Sequence, residues 1–353
     1  MNLEDLAKRP TEWLRGNGHM SDVVISSRVR LARNLAGMPF LSRCNNEQKT
    51  EIQQRLRDCI IQSDVATDTL YLDIANCSEI DRSLLVERHL ISRQHARGDH
   101  PRGVAFSPSE TLAIMVNEED HLRLQVLRSG LAVEQAVEET IRADNMLEEK
   151  LSFAFHRKYG YLTACPTNVG TGLRISVMLH LPALKMTGEI EKVFRAAHDM
   201  RLAIRGLYGE GTEATGDFFQ ISNQTTLGKA EDQIVQEFCV DTLPHIIDYE
   251  RRARDVLLTK RPIAIDDRVQ RSLAVLKAAL LISSDETMYL LSLIRMGVTM
   301  GRCDELDLAT VNELLLMTQP AHLQKMLGRE LEPLDRAAAR ATYIRQRLEA
   351  AAK

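Results

Sequence analysis

The chain is predicted to be an α+β protein. A largely antiparallel sheet with one face covered by helices occupies residues 1–255, and an all-helical region follows at 256–353. Three observations predict this. Short segments alternate strictly between apolar and polar residues, which is the period of a half-buried strand. Segments with helical period lie between them, and short strands mixed with helices in this way fit an antiparallel sheet covered on one side. From about residue 266 only the helical period remains.

The elements follow in order. DVVISSRVRLARNL (22–35) alternates, with Ser26, Arg28 and Arg30 on one face and Ser27, Val29 and Leu31 on the other. A helix is predicted near 46–63. TLAIMVNEED (111–120) is β-rich and ends in acids. HLRLQVLRSG (121–130) alternates and stops at glycine, and a second helix spans 131–148. In ACPTNVGTGLRISVMLHLPAL (164–184), Cys165 precedes Pro166, and Gly170 and Gly172 form a bend. Leu173, Ile175, Val177, Leu179 and Leu181 then alternate with Arg174, Ser176, Met178 and His180. Helix is predicted over 187–199. RLAIRGLYGEGTEATGDFFQISN (201–223) reads as strand, glycine-rich loop and strand, and another helix covers 228–255. Pro262 marks 257–267 as a linker, since proline cannot continue a helix. Helix-period segments with acidic or serine starts follow at 266–283, 284–301 and 307–328. A basic helix, 334–353, closes the chain.

The bulk numbers exclude several classes. A chain of 353 residues with 44% hydrophobic and 27% charged residues is globular, and it can bury a core without staples. A net charge of −4 offers no global field for nucleic acid. No apolar run approaches the roughly 18–20 residues of a membrane span, and MNLEDLAKRP lacks the apolar centre of a signal peptide. Six scattered cysteines form no CxxC pair and no metal-like cluster, so reduced thiols in a cytoplasm are expected.

The chemistry lies in two sets of residues. Arg28, Arg30, Arg123, Arg174 and Arg205 recur on the polar faces of the predicted strands. A guanidinium forks onto phosphate oxygens with two parallel hydrogen bonds, so a sheet face carrying several is a pocket for a polyanion such as a nucleoside triphosphate. There is no GxxxxGK[ST] loop and no protein-kinase motif set, so such a site is built by side chains. The second set is negative. Glu118, Glu119 and Asp120 crowd one strand end, and Glu210 sits between Gly209 and Gly211. Cys165, if held as thiolate by nearby arginines, is either a nucleophile or an anion that holds a cationic substrate. A negative cluster beside a phosphate wall suits a cationic acceptor. A guanidinium is the obvious one, because it must be aligned and deprotonated before it attacks phosphorus.

These motifs taken together resemble the phosphagen (guanidino) kinases. SSRVR (26–30), NEEDHLRL (117–124), CPTNVGTGLRISV (165–177) and RGLYGEGTEA (205–214) occur in the family's order, and the likeness covers roughly residues 20–255. It is strongest to the bacterial branch that phosphorylates arginine side chains in proteins. The resemblance implies a phosphagen-kinase-like catalytic domain and the use of ATP with Mg²⁺, with no metal site made by the protein. It implies that Cys165 contacts the acceptor guanidinium and that Glu119 and Glu210 act on it. It assigns Arg28, Arg30, Arg123, Arg174 and Arg205 to the nucleotide, with Ser26, Ser27, Val29, Ile175, Ser176, Val177 and Met178 lining the same site. Gly206, Leu207, Tyr208 and Gly209 of the glycine loop and His89 of VERHLIS are assigned there too.

Two departures carry functional weight. Small-molecule members of the family have an N-terminal helical domain before the SSRVR segment, and here that segment begins at residue 26. An open site suits a protein-borne arginine. The 256–353 region lacks a small-molecule counterpart, whereas the protein-directed branch carries such a domain with an Arg-Asp-x-x-Arg-Ala motif that senses phosphoarginine. Here Arg336, Arg340 and Ala341 match, while Ala337 takes the acidic position. The expected partners are substrate proteins, a heat-shock repressor, a zinc-binding activator and a Clp ATPase, with neither nucleic acid nor membrane. A cytoplasmic homodimer is the expected form. A small-molecule guanidino kinase and a weakly catalytic phosphoarginine adaptor are the alternatives.

Overall fold

The computed structural model describes residues 3–63, 65–207 and 215–351. The half that carries the sheet contains α1 (Leu3–Ala7), β1 (Val24–Arg33), α2 (Asn46–Gln62), β2 (Leu70–Asp73), α3 (Glu79–Glu87), α4 (Arg93–Arg97), β3 (Gly103–Phe106), β4 (Leu112–Val116) and β5 (Leu122–Ser129). It continues with α5 (Val133–Glu148), β6 (Phe155–His156), β7 (Gly160–Tyr161), β8 (Leu173–His180), α6 (Pro182–Met186), α7 (Ile190–Asp199), β9 (Leu202–Arg205), β10 (Phe218–Asn223), α8 (Glu231–Cys239) and α9 (Leu243–Lys260). The helical half contains α10 (Pro262–Ala278), α11 (Ser284–Thr299), α12 (Leu308–Met317), α13 (Pro320–Leu327) and α14 (Pro333–Ala351).

Eight strands form one sheet in the order β2-β3-β4-β5-β1-β8-β10-β9. Every neighbouring pair is antiparallel. The period of two sorts the side chains. Val29, Leu31, Ile175 and Val177 face one core with Ile52 and Leu56 of α2, Ala136 and Leu147 of α5, and Ile234 of α8. The alternate positions place Arg28, Arg30, Arg174, Ser176 and Met178 on the opposite face. The central strand β1 therefore carries core and site on its two sides.

Three helix boundaries differ from the sequence reading. The 228–255 segment divides into α8 and α9, with Pro244 in the first turn of α9. The 307–328 segment divides at α13, which opens on Pro320. The 257–267 stretch is helical on both sides of Arg261, and α9 runs through residue 256 to Lys260. Pro262 does interrupt the helix, but it also starts the next one, because the first turn needs no proline N–H. An extended linker is therefore absent here.

The two halves are joined by buried polar contacts. Arg295 of α11 donates to the carbonyls of Ser21 (2.5 Å) and Asp22 (3.1 Å) and to Nδ1 of His180 (2.9 Å). Arg254 of α9 donates across the seam to Thr299 Oγ1 of α11 (3.2 Å) and, on its own side, binds Glu250 (2.8 Å) and the Asp22 and His180 carbonyls.

Candidate nucleotide and acceptor site

Strand register builds the cationic face. Arg28 of β1 lies opposite Ser176 of β8, and Arg30 lies opposite Arg174. On the other side of β1, Arg30 faces Gln125 and Ala32 faces Arg123 of β5. Gln220 of β10 lies opposite Arg205 of β9. Arg28 donates to Gln220 Oε1 (2.7 Å) and Ser176 Oγ (3.5 Å), and Arg174 donates to Ser222 Oγ (3.3 Å). Like charges directly opposite in a sheet are destabilising, so this face is arranged for something other than stability. Burial, with repulsion from Arg174, Arg123 and Arg205, pulls Arg28 down to about 10. Burial and then Arg28, Arg123 and Arg174 pull Arg30 well below the usual arginine range. The Nε and Nη2 of Arg30 are buried with no hydrogen-bond partner among the described residues. Buried donors are ordinarily satisfied, and each left unmade is costly. An anion with several oxygens answers both the repulsion and the orphaned donors.

A narrow cleft runs beside this face, lined by Trp13, Ser26, Arg28, His89, Ser176 and Met178. His89 has a positive φ of 58°, and its ring meets Trp13 edge-on at 4.4 Å. Burial, then Arg28 and Arg93, depress His89 to about 3, so the ring is neutral. Four of the implied lining residues sit differently. Ser27, Val29, Ile175 and Val177 are buried on the core face, and Ser27 Oγ is occupied by the Gly130 carbonyl and the Ala132 N–H. Period two turns their side chains away, and only their backbone borders the site. Leu207 is buried, and Gly206 precedes it. Tyr208, Gly209 and Glu210 lie outside the described residues.

The residues expected on the acceptor side lie where the β4–β5 turn meets the Cys165 loop. Arg123 binds Glu118 Oε2 (2.5 Å) and Glu119 Oε2 (2.9 Å). Burial lowers Arg123, but Glu118, Glu119 and Asp120 outweigh it and hold the group above its ordinary value. Burial raises Glu119, and the neighbouring Asp120 and Glu118 add to this against Arg123. Glu118 is held low: Arg123, the Ser92 hydroxyl and His95 overcome its burial. Asp120 is fully buried. Its Oδ1 accepts from the Ala164 N–H and from Asn34 Nδ2, both at 2.6 Å, and Asn34 also donates to the Leu162 carbonyl. Asp120 and Asn34 thus tie the Glu119 turn to the residue before Cys165.

Cys165 is half-buried and begins a 3-10 turn, Pro166–Asn168, with its Sγ 3.0 Å from Thr167 Oγ1. Thr226 Oγ1 donates to the Thr167 and Val169 carbonyls. Gly170 has φ 115°, and a Cβ there would lie 2.6 Å from the Thr226 carbonyl. Gly172 has φ 69°, with the Ala32 carbonyl 2.8 Å from such a Cβ. Only glycine lets the loop lie this close to β1 and the 224–228 segment. The sequence reading missed Gln220, Ser222, Asn34, Asp120 as an anchor, and Thr226. Gln220 and Ser222 had a signal, since they alternate in FFQISN. Asn34 and Thr226 had none, because their partners are distant in the chain.

The residues expected to sense phosphoarginine divide. Arg336 lines a broad cleft between α3–α4 and α11, α13 and α14. Arg340 and Ala341 are buried, and Arg340 donates to the carbonyls of Thr318 (2.8 Å) and Ile282 (2.9 Å). Arg336 and Arg340 therefore do not form an exposed pair, because α14 turns Arg340 inward toward the Thr318 and Ile282 carbonyls.

Residues 51–253 match the ATP:guanido phosphotransferase C-terminal catalytic domain, and residues 262–353 match the protein-arginine kinase McsB C-terminal domain. The chain is 46% identical to the protein-arginine kinase of Halothermothrix orenii, over 99% of each chain. It is 40% identical to that of Bacillus subtilis, over 96% of this chain and 93% of the relative.

This chain belongs to the protein-arginine kinase family of ATP:guanido phosphotransferases.

Among solved structures, a lombricine kinase shares the fold with a TM-score of 0.58 and 25% identity, covering 69% of this chain and 71% of that one. A duplicated taurocyamine kinase from Schistosoma mansoni gives a TM-score of 0.60 and 28% identity, over 70% of this chain and 35% of that longer protein. No helix among the described residues is long and apolar enough to cross a membrane.

Proposed function

We propose that the protein transfers the γ-phosphoryl group of ATP to a guanidinium nitrogen of arginine side chains in other proteins. One observation carries the reading: an arginine face with orphaned buried donors at Arg30 meets, at Arg123, a carboxylate turn joined to the Cys165 loop. Arg28, Arg30, Arg123, Arg174 and Arg205 hold the phosphates and spread their charge. Such positioning and charge stabilisation form most of phosphoryl-transfer catalysis. Glu119 is engaged by Arg123 here, and substrates exchange that contact. The triphosphate takes the arginine, and the acceptor guanidinium takes the carboxylate. Glu119 or Glu210 accepts the guanidinium proton, the N–P bond forms, and the bond from γ-phosphorus to the ADP oxygen breaks. Cys165 holds the far side of the guanidinium as an electrostatic partner and forms no bond to phosphorus.

Among the described residues no group of three or more His, Cys, Asp or Glu side chains is placed to cage a cation. Mg²⁺ would enter on the nucleotide phosphates, as this ion usually does, and supply charge neutralisation there. Arg336 is the motif residue open to the interdomain cleft, and we assign phosphoarginine sensing to it in preference to Arg340. A cytoplasmic setting, a homodimer and the stress-response partners belong to the same proposal.

The test is mass spectrometry, under non-acidic conditions, of a model protein incubated with the kinase and MgATP. Phosphate on arginine is expected. Phosphate on free arginine with none on protein would overturn the reading. The acid limb of kcat/KM is also expected above the ordinary glutamate value of about 4.3. Burial raises Glu119, and only its ionised form accepts a proton. Glu119→Gln should remove that limb.

A further inference from the structure

The residues Glu87, Arg88 and His89 are consecutive, yet they serve two halves of the molecule. Glu87, at the end of α3, caps the start of α13. Its Oε1 accepts from the Ala321 N–H (2.8 Å), and its Oε2 accepts from the His322 N–H (3.0 Å) and lies 2.7 Å from His322 Nδ1. Arg88 is fully buried and binds Glu110 through Nε (3.0 Å) and Nη2 (2.5 Å). Its Nη1 reaches the Arg9 carbonyl and His322 Nε2, both at 3.1 Å. His89 then turns back with positive φ, gives its carbonyl to Gln125 Nε2 (2.6 Å), and presents its ring to the cleft that holds Arg28.

The bonds settle the tautomer of His322. A guanidinium only donates, so Nε2 of His322 is the acceptor and carries no proton. The proton is therefore on Nδ1, which donates to Glu87. Burial depresses His322 against the pull of Glu87, which agrees with a neutral ring. A neutral imidazole with this tautomer is the one form that satisfies an arginine and a carboxylate at once. A second strap, Lys325 to Asp81 at 2.6 Å, ties α13 to the start of α3.

We propose that His322, in the helical half, is a positioning residue for nucleotide binding: through Glu87 and Arg88 it fixes the end of α3 and so the place of His89 in the nucleotide cleft. This rests on the nucleotide reading of that cleft. The contacts are buried and well satisfied, so the network has one good arrangement, and losing the imidazole leaves Arg88 and Glu87 each short of a partner. By linkage, nucleotide binding must then tighten α13 in return.

His322→Leu removes both ring bonds while nearly keeping volume. Calorimetry is expected to show ATP affinity reduced about fivefold or more, within the usual range of coupling between sites. The KM for the protein acceptor and kcat at saturating ATP should stay near wild type. His322→Gln, whose amide can accept from Arg88 and donate to Glu87, should restore ATP affinity. A general loss of structure would instead shift both KM values, with no rescue by glutamine. Hydrogen exchange on the unaltered protein gives a second reading that needs no variant: nucleotide should slow exchange in residues 320–327. Arg28→Ala separates the two levels of the argument. If it binds ATP normally, the nucleotide site itself is misplaced. If it loses ATP while folded His322→Leu binds ATP like wild type, or if 320–327 gains no protection with nucleotide, the role of His322 is wrong.

Discussion

Two groups of buried arginines behave in opposite ways. At the seam between the halves, Arg295 donates to Asn312 Oδ1 (3.3 Å), the Ser21 and Asp22 carbonyls, and His180 Nδ1. Arg88 and Arg340 are likewise held by carbonyls or carboxylates. On the sheet face, Arg30 is set directly opposite Arg174 and keeps two buried donors without a partner among the described residues. Arg28 is bonded there to neutral groups, Gln220 and Ser176. Burial and neighbouring arginines depress both Arg28 and Arg30, and burial depresses Arg295 to about 9. Burial alone does not separate the two groups. What separates them is whether the protein itself completes the hydrogen bonds. Arg295 is held by the protein alone, whereas Arg30 keeps donors that a ligand would fill.

Substitutions should split along this line. The largest effect is expected from Arg30→Met. Arginines that stabilise transferring phosphoryl charge are worth roughly 10³–10⁵ in rate, so kcat/KM should fall by about a thousandfold or more. Thermal melting without nucleotide should hold or rise, because a like-charge contact is removed. A variant with lowered melting temperature and full activity would erase the distinction.

Arg295→Met should show the converse. It removes the donor to four acceptors, of which the Asp22 carbonyl keeps Arg254, and each buried acceptor left unmade costs about 1–3 kcal/mol. Denaturant titration should record that loss, and turnover per folded molecule should remain close to normal. An active-site defect at unchanged stability would place Arg295 with the functional group.

Cys165→Ala sharpens the boundary between nucleotide and acceptor sides. Loss of one electrostatic contact made in the transition state lowers turnover about 10²–10³-fold. ATP affinity by calorimetry should not move, since the residue faces the acceptor. A loss of ATP affinity would put the thiol on the wrong wall.

The smallest effect is expected from an arginine in neither group. Arg302 forms an exposed pair with Asp266, and exposed pairs contribute little because water screens them. Arg302→Ala should leave activity and melting temperature indistinguishable from wild type. A clear change in either would show that the surface pair belongs to one of the two functional classes.

Much of this site was legible in the sequence. Period-two alternation in SSRVR and LRISVM placed Arg28, Arg30 and Arg174 on one face, and the register of β1 with β8 agrees. Glycines at 170 and 172 signalled a tight bend, and their positive φ angles show why. The same alternation turned Val29, Ile175 and Val177 toward the core, which a list of site residues carried over by motif ignores. The helical half was legible as helices but not at its breaks. Pro262 read as an interruption and Pro320 passed unmarked within 307–328, whereas each opens a new helix. Proline forbids helix before it and favours helix after it, so its position alone does not say whether a chain bends or ends.

The sequence by itself determined which residue types alternate and which motifs recur, because strand and helix periods are local properties of the chain. It determined the fold class and showed that arginines recur on the polar faces of the strands and that acids crowd one strand end. Only the tertiary structure decided which arginines are complete and which are not. Arg340 and Arg336 look alike in RAAARA, yet one is bonded to the carbonyls of Thr318 and Ile282 and the other borders a cleft. Asp120 looks like one more acid in NEED, yet it holds the Ala164 amide and Asn34. Hydrogen-bond satisfaction depends on partners brought from distant parts of the chain, and no local pattern records where those partners come to rest.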